Sequence, residues 1–132
     1  MQITEVKKNG WWGDGYTPEM KDLIGRTFTD IICENEELKL KNDKECFTFY
    51  HDQECCEDVS IDSITGDLND LLNSPILFAE ESVNSAELTD WNTGTWTFYK
   101  LATVKGWVDI RWFGTSNGYY SEAVSLSYKV LA

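Results

Sequence analysis

The stretch TWTFYKLATVKGWVDIRWFG, residues 95–114, decides the fold. Two runs rich in aromatic and β-branched residues flank a short turn around Lys105 and Gly106, the pattern of a β-hairpin. In its second run Val108, Ile110 and Trp112 alternate with Trp107, Asp109 and Arg111. A strand places alternate side chains on opposite faces, so the first set reads as core and the second as solvent-facing. Asp109 and Arg111 then read as a surface pair.

Working outward, further strand signals lie on both sides. RTFTDIICE, ELKLK, KECFTFYH and EDVSIDSI precede the hairpin, separated by polar turns at Asn35 and at Asn42–Asp43. Val59 and Ile61 share a face in EDVSIDSI. PILFAEESV reads as a strand with Pro75 at its first position, where a missing N–H is tolerated. SAELTDWNTG reads as a loop, and YYSEAVSLSYKVL closes the chain after a turn at Ser116-Asn117-Gly118. Two short helices are predicted. TPEMKDLIG has Thr17 as cap, Pro18 at the first helical position and Gly25 at the end. GDLNDLLNS has Asp67 near its cap and Asn73 near its end. The expected class is α+β: predominantly antiparallel β, a meander or hairpin sheet, with two short helices. Residues 1–16 form a polar lead with Trp11, Trp12 and Tyr16 as anchors, and 17–132 form one β-rich domain.

The chain has 132 residues, enough for a core of its own. It has no apolar run of the roughly 18 residues a membrane helix needs, and its start lacks an apolar signal core. The expectation is a soluble, cytoplasmic protein without membrane contact, whose four cysteines stay reduced. The net charge is −12. From Glu45 to Tyr99 there are twelve acidic residues and no lysine or arginine; the other eleven acids are matched by eleven bases. A field so one-sided repels nucleic acid and attracts a basic surface.

The stretch FYHDQECCEDVSI, residues 49–61, concentrates the only histidine, two adjacent cysteines and four carboxylates. It matches no zinc spacing, and adjacent cysteines on a strand point to opposite faces. His51 and Cys55 could pair as base and nucleophile, but nearby carboxylates raise a thiol pKa. The plainer reading is one cysteine in the core and the other near the surface, with no chemistry. No metal or other cofactor is expected. CCEDVSI, residues 55–61, also echoes YSEAVSL, residues 120–126, aligning Glu57 with Glu122. Two related hairpins would place both glutamates inward. Such a pair can serve glycoside hydrolysis; more often each carboxylate meets turn amides or an arginine.

HDQECCEDVSI, GDLNDLLNSPILFAEES, TWTFYKLATVKGWVDIRWFG and SNGYYSEAV, in that order, resemble a family of small acidic proteins encoded by tailed bacteriophages and prophages. The resemblance spans roughly residues 20–127. It implies the setting of a phage accessory protein acting in the bacterial host, and transfers no catalytic residue.

Three functions follow as expectations. The first is a non-enzymatic inhibitor of a host defence or nucleic-acid-binding protein, in the manner of an anti-CRISPR protein or DNA mimic. It would occupy a basic groove on a host protein through Asp52, Glu54, Asp58, Asp62, Asp67, Asp70, Glu80 and Glu81. The second is a nucleotide-sequestering protein whose pocket comprises Trp91, Trp107, Arg111, Trp112, Asn117, Tyr119 and Tyr120, since aromatic faces stack on bases. The third is a hydrolase using Glu57 and Glu122.

Overall fold

The computed structural model describes residues 18–34, 36–87, 92–118 and 120–131. Among the described residues eight strands form two antiparallel sheets. They are β1 (Asp30–Glu34), β2 (Glu37–Lys41), β3 (Glu45–Tyr50), β4 (Asp58–Thr65), β5 (Phe78–Glu87), β6 (Thr93–Thr103), β7 (Gly106–Ser116) and β8 (Ser125–Val130). The first sheet runs β1-β2-β3-β8 and the second β4-β7-β6-β5. Leu38, Leu40, Phe47 and Phe49 of the first sheet share one core with Val59, Tyr99, Leu101, Val108, Ile110 and Trp112 of the second. Phe49 and Tyr99 meet across it, ring centroids 4.7 Å apart.

The 95–114 hairpin is as expected in type and facing: Val108, Ile110 and Trp112 are buried, and Trp107, Asp109 and Arg111 are exposed. Its turn lies one residue earlier, because Thr103 pairs with Gly106 and leaves Val104 and Lys105 as the two-residue loop. In β4 a register shift between Ile61 and Ser63 lets Ile64 join the core side with Val59 and Ile61. A bulge absorbs the extra residue, here Asp62, without turning the remaining strand inside out.

The two predicted helices are corrected to single 3-10 turns, Met20–Leu23 and Leu68–Leu71. Each has one wholly buried anchor, Leu23 or Leu71. Four residues cannot present the repeated apolar stripe that stabilises an α-helix by packing. Asp67 does cap the second turn, accepting the Asn69 N–H at 2.9 Å. Asn73 beyond it takes φ 61°, a left-handed value that asparagine tolerates. Thr17, the expected first cap, lies outside the described residues, as do Trp11, Trp12 and Tyr16.

β5 begins at Phe78 rather than Pro75, which makes only an isolated bridge to Thr27. It continues through Ser85, Ala86 and Glu87, a segment whose polarity reads as loop. Among the described residues β5 is an edge strand, and from Glu80 to Ser85 the side chains on both of its faces are exposed, so a buried-face alternation never appears there.

The chain passes between the sheets at two places among the described residues that bear on function. Residues 51–57 lead from β3 to β4, and residues 117–124 lead from β7 back to β8. The echoed segments are thus two crossings running in opposite directions, not two equivalent hairpins.

Candidate functional site

The two crossings touch. His51 lies at the start of the first, and its Nδ1 is 2.7 Å from the Ala123 carbonyl of the second. Its Nε2 is 2.8 Å from Glu57 Oε2. Both ring nitrogens face acceptors, and a neutral imidazole can donate to only one of them. The Glu57 side chain is fully buried. It also accepts the Glu54 N–H at 2.8 Å and the Cys55 N–H at 3.0 Å. Burial by itself raises this carboxyl's pKa; the amide of Cys55, the His51 ring and the amide of Glu54 more than offset that and hold it at about 2. Glu57 therefore meets turn amides, one of the two partners expected for it.

Cys55 and Cys56 are both exposed and are joined to each other in a disulfide. This corrects the expectation of reduced cysteines with one in the core. Facing rules for strands do not apply, because this piece is loop and β4 starts only at Asp58. Cys33 and Cys46 are free thiols. Among the described residues no group of three or more His, Cys, Asp or Glu side chains is placed to hold a metal ion.

Glu122, on the second crossing, accepts hydrogen bonds from side-chain hydroxyls rather than from turn amides or an arginine. Thr95 donates to Oε1 at 2.7 Å, and Ser116 donates to Oε2 at 2.6 Å, as does Thr93. Burial raises its pKa, and the hydroxyls of Ser116, Thr93 and Thr95 outweigh this and lower it. The close approach of this crossing to β7 requires a glycine. A Cβ on Gly114 would lie 2.9 Å from Val59 Cγ2 and 3.0 Å from the Glu122 carbonyl oxygen. Glu57 and Glu122 are thus each satisfied by a separate set of donors.

The face of the second sheet turned away from the core carries a different chemistry. Strand alternation and register bring Phe78, Trp96, Phe98, Trp107 and Phe113 onto it, all partly or largely exposed. Trp96 and Phe113 are 4.2 Å apart between centroids. Arg111 lies over the Trp96 ring at 5.0 Å and pairs with Asp62 at 2.8 Å. Lys100 lies over Trp107 at 5.5 Å and 3.9 Å from Asp109. Each cation is therefore already attended by a carboxylate and an aromatic face. A depression of ≈ 450 Å³ between Ser63, Glu80, Phe98, Lys100, Asp109 and Arg111 opens on this surface.

Of the eight acids read as partner-binding, Asp58, Asp62 and Glu80 lie on this face, with Asp58 and Glu80 on its opposite edge strands and toward opposite ends. Asp52 and Glu54 sit exposed on the first crossing. Asp67 and Asp70 belong to the second 3-10 turn. Glu81 points to the opposite side of β5 and accepts the Tyr99 hydroxyl at 2.8 Å. The aromatic set read as a pocket is divided. Trp107 and Arg111 share the outer face, Trp112 is wholly buried, and Tyr120 lines a separate cleft beside Glu122. Asn117 is exposed on the second crossing, and Trp91 and Tyr119 lie outside the described residues. The outer-face ring cluster of Phe78, Trp96, Phe98 and Phe113 escaped the sequence reading. The parity of Trp96 and Phe98 against Val108 across the hairpin would have revealed it.

A family model, a domain of unknown function (DUF7448), matches residues 21–126. The chain belongs to this family. The match begins within the first 3-10 turn and ends in β8, so the family unit includes both sheets and both crossings. No curated protein matches the chain, and no solved structure does. Among the described residues no helix is long and apolar enough to cross a membrane.

Proposed function

We propose that this chain is a non-enzymatic binding protein that docks the outer face of its second sheet on a basic protein surface. The observation that carries this reading is the joint display of partly exposed rings and exposed carboxylates on one sheet face of a chain with net charge −12. Lysine and arginine side chains of a partner suit both elements, since carboxylates pair with them and aromatic faces attract them. Long-range attraction would speed encounter, and the rings would supply the desolvated centre of the contact. In the phage setting implied by the sequence resemblance, the partner is a host defence or nucleic-acid-binding protein, and occupation of its basic groove inhibits it. The exposed acids Asp52 and Glu54 would extend the contact beyond the sheet.

The reading is tested by capture from bacterial lysate with the intact chain, at low and at physiological salt. The comparison is with Trp96→Ala and with the combined Asp58→Asn, Asp62→Asn, Glu80→Gln variant. A captured basic protein that is lost with both variants, and released by salt, supports the proposal. Its purified nucleic-acid binding should then fall as the chain is added. Equal capture by wild type and both variants would sink it.

A further inference from the structure

β5 lies at one edge of the second sheet, and its ten register pairs with β6 run from Phe78 to Glu87 without a shift. Every second residue of such an edge strand turns its N–H and C=O away from the sheet. Just before β5, Ile76 accepts the Gly25 N–H at 2.7 Å and donates to the Arg26 carbonyl at 2.9 Å, whereas Leu77 donates to Ala102 of β6. Among the described residues that cover ends there, and no strand pairs with β5 on the side away from β6. Long edges are commonly blunted by a proline, a lysine or a bulge. The sequence FAEESVNSAE of β5 contains neither residue, and its register is unbroken.

Side chains on both faces of this margin are accessible. Glu81, Val83 and Ser85 are exposed on the core side, Val83 by 57%. Glu80, Ser82 and Asn84 are exposed on the outer side. A strand laid along β5 would therefore meet a neighbour for each of its own side chains.

Charge selects the occupant. Glu80 and Glu81 are adjacent, so they point to opposite faces and present a carboxylate on each. Glu81 gives Oε2 to the Tyr99 hydroxyl, a neutral donor that leaves its charge in place. Lys100 stands opposite Glu80 in register, but it lies over Trp107 and toward Asp109. A second copy of this chain, with net charge −12, would bring like charge to the margin. A strand with lysine or arginine opposite the two glutamates would bring the complement.

We infer that β5 binds an extended basic segment of another protein by strand addition, antiparallel to residues 80–86, with lysine or arginine opposite Glu80 and Glu81 and an apolar residue opposite Val83. Main-chain hydrogen bonds hold the segment, and the three side chains select it. The inference rests on the backbone of the margin and does not depend on the docking proposed for the outer face.

The test is an NMR titration of the isotope-labelled full chain, at physiological salt, with the peptide acetyl-Thr-Thr-Thr-Val-Thr-Lys-Lys-amide. In antiparallel register this sets valine on Val83 and the lysines on Glu81 and Glu80. Two comparison peptides have the same sequence and charge but carry backbone N-methyl groups at odd or at even positions. Whichever set of N–H groups faces β5, one of the two has lost it. The parent peptide should bind saturably, and hydrogen exchange should slow at alternate amides within residues 80–86. At least one methylated peptide should bind about tenfold more weakly or worse. Glu80→Gln with Glu81→Gln should weaken the parent peptide by about threefold to tenfold. Asp30→Asn with Asp43→Asn removes the same charge from exposed positions on the first sheet and should cost less than about twofold. Thermal melts confirm that both variants are folded. No saturable binding, equal binding of all three peptides, unchanged exchange in β5, or a loss in the aspartate variant equal to that in the glutamate variant would overturn the inference. Slowing of the same amides by protein concentration alone would make a second copy the occupant, and would overturn it too.

Discussion

His51 Nε2 lies 2.8 Å from Glu57 Oε2, while the far side of the same ring reaches the Ala123 carbonyl. One imidazole thus joins the two crossings between the sheets, residues 72 positions apart in the chain. Glu57 is the anchor of this arrangement, and its hydrogen bonds require an ionised carboxylate.

Acid sensitivity follows from that requirement. The carboxyl's pKa is lowered from 4.5 to about 2. A depressed folded-state pKa contributes stability that is fully present above the unfolded value and is lost as pH falls through the folded one. Glu57→Gln should therefore melt at a lower temperature than wild type at pH 7. The gap should hold down to about pH 4.5 and close between there and pH 2. Melting curves at several pH values decide it; a gap that stays constant to pH 2 would show that the carboxylate's charge contributes nothing.

A second prediction concerns the buried pair at the other end of the first sheet. Arg26 and Glu45 are 9% and 5% exposed, and the guanidinium Nη1 is 3.0 Å from Glu45 Oε1. The Tyr128 hydroxyl donates to the same oxygen at 2.9 Å. Burial and then the bond to Glu45 raise the pKa of that phenol. Arg26→Ala strands a buried carboxylate and should cost about 3–5 kcal/mol. Replacing both partners, as Arg26→Met with Glu45→Leu, should recover most of the loss. Urea unfolding of the single and double variants gives the comparison, and a double variant as weak as the single one would contradict it.

These elements were unequally legible in the sequence. The 95–114 hairpin announces itself because one of its faces is buried and the other is not, which writes a period of two into the chain. β5 hides its last residues because both of its faces are exposed from Glu80 to Ser85, which leaves no period of two to read. The Arg26–Glu45 pair leaves no local signal, since nineteen positions separate its members. The alignment of Glu57 with Glu122 did mark two partnered glutamates. It misrepresented their setting, because a local likeness between CCEDVSI and YSEAVSL carries no information about which sheet each strand joins.

Thiol reactivity gives a third prediction. Cys33 is exposed, Cys46 is buried, and Cys55 and Cys56 are bonded to each other. Native protein without reductant should be alkylated by iodoacetamide at Cys33 first, and at Cys46 only after unfolding. Cys55 and Cys56 should react only after reduction. Burial, and next the charge of Glu36, raise the Cys33 pKa above its ordinary 9.0, so its labelling rate should still be climbing at that pH. Peptide mass spectrometry resolves the sites; labelling of Cys55 before reduction would refute the pairing.

A fourth prediction turns on the space at Gly114. An added methyl meets Val59 on one side and the backbone and Cβ of Glu122 on the other. Gly114→Ala should cost about 1–3 kcal/mol, the usual penalty for overpacking. Chemical denaturation measures the effect; an alanine variant as stable as wild type would mean the crossing can shift freely.

Among the described residues no strand pairs with the outer margin of β5, and that sets how this protein must be handled. A long unpaired strand edge offers backbone groups to another copy, and Glu80 and Glu81 stand exposed along it. At neutral pH the shared negative charge keeps copies apart. Near the pI of about 4.3 that repulsion vanishes, while Glu57 still keeps its charge. Concentrated stocks acidified to that point would cloud through association of folded molecules, strand edge to strand edge, and should clear on return to neutral buffer.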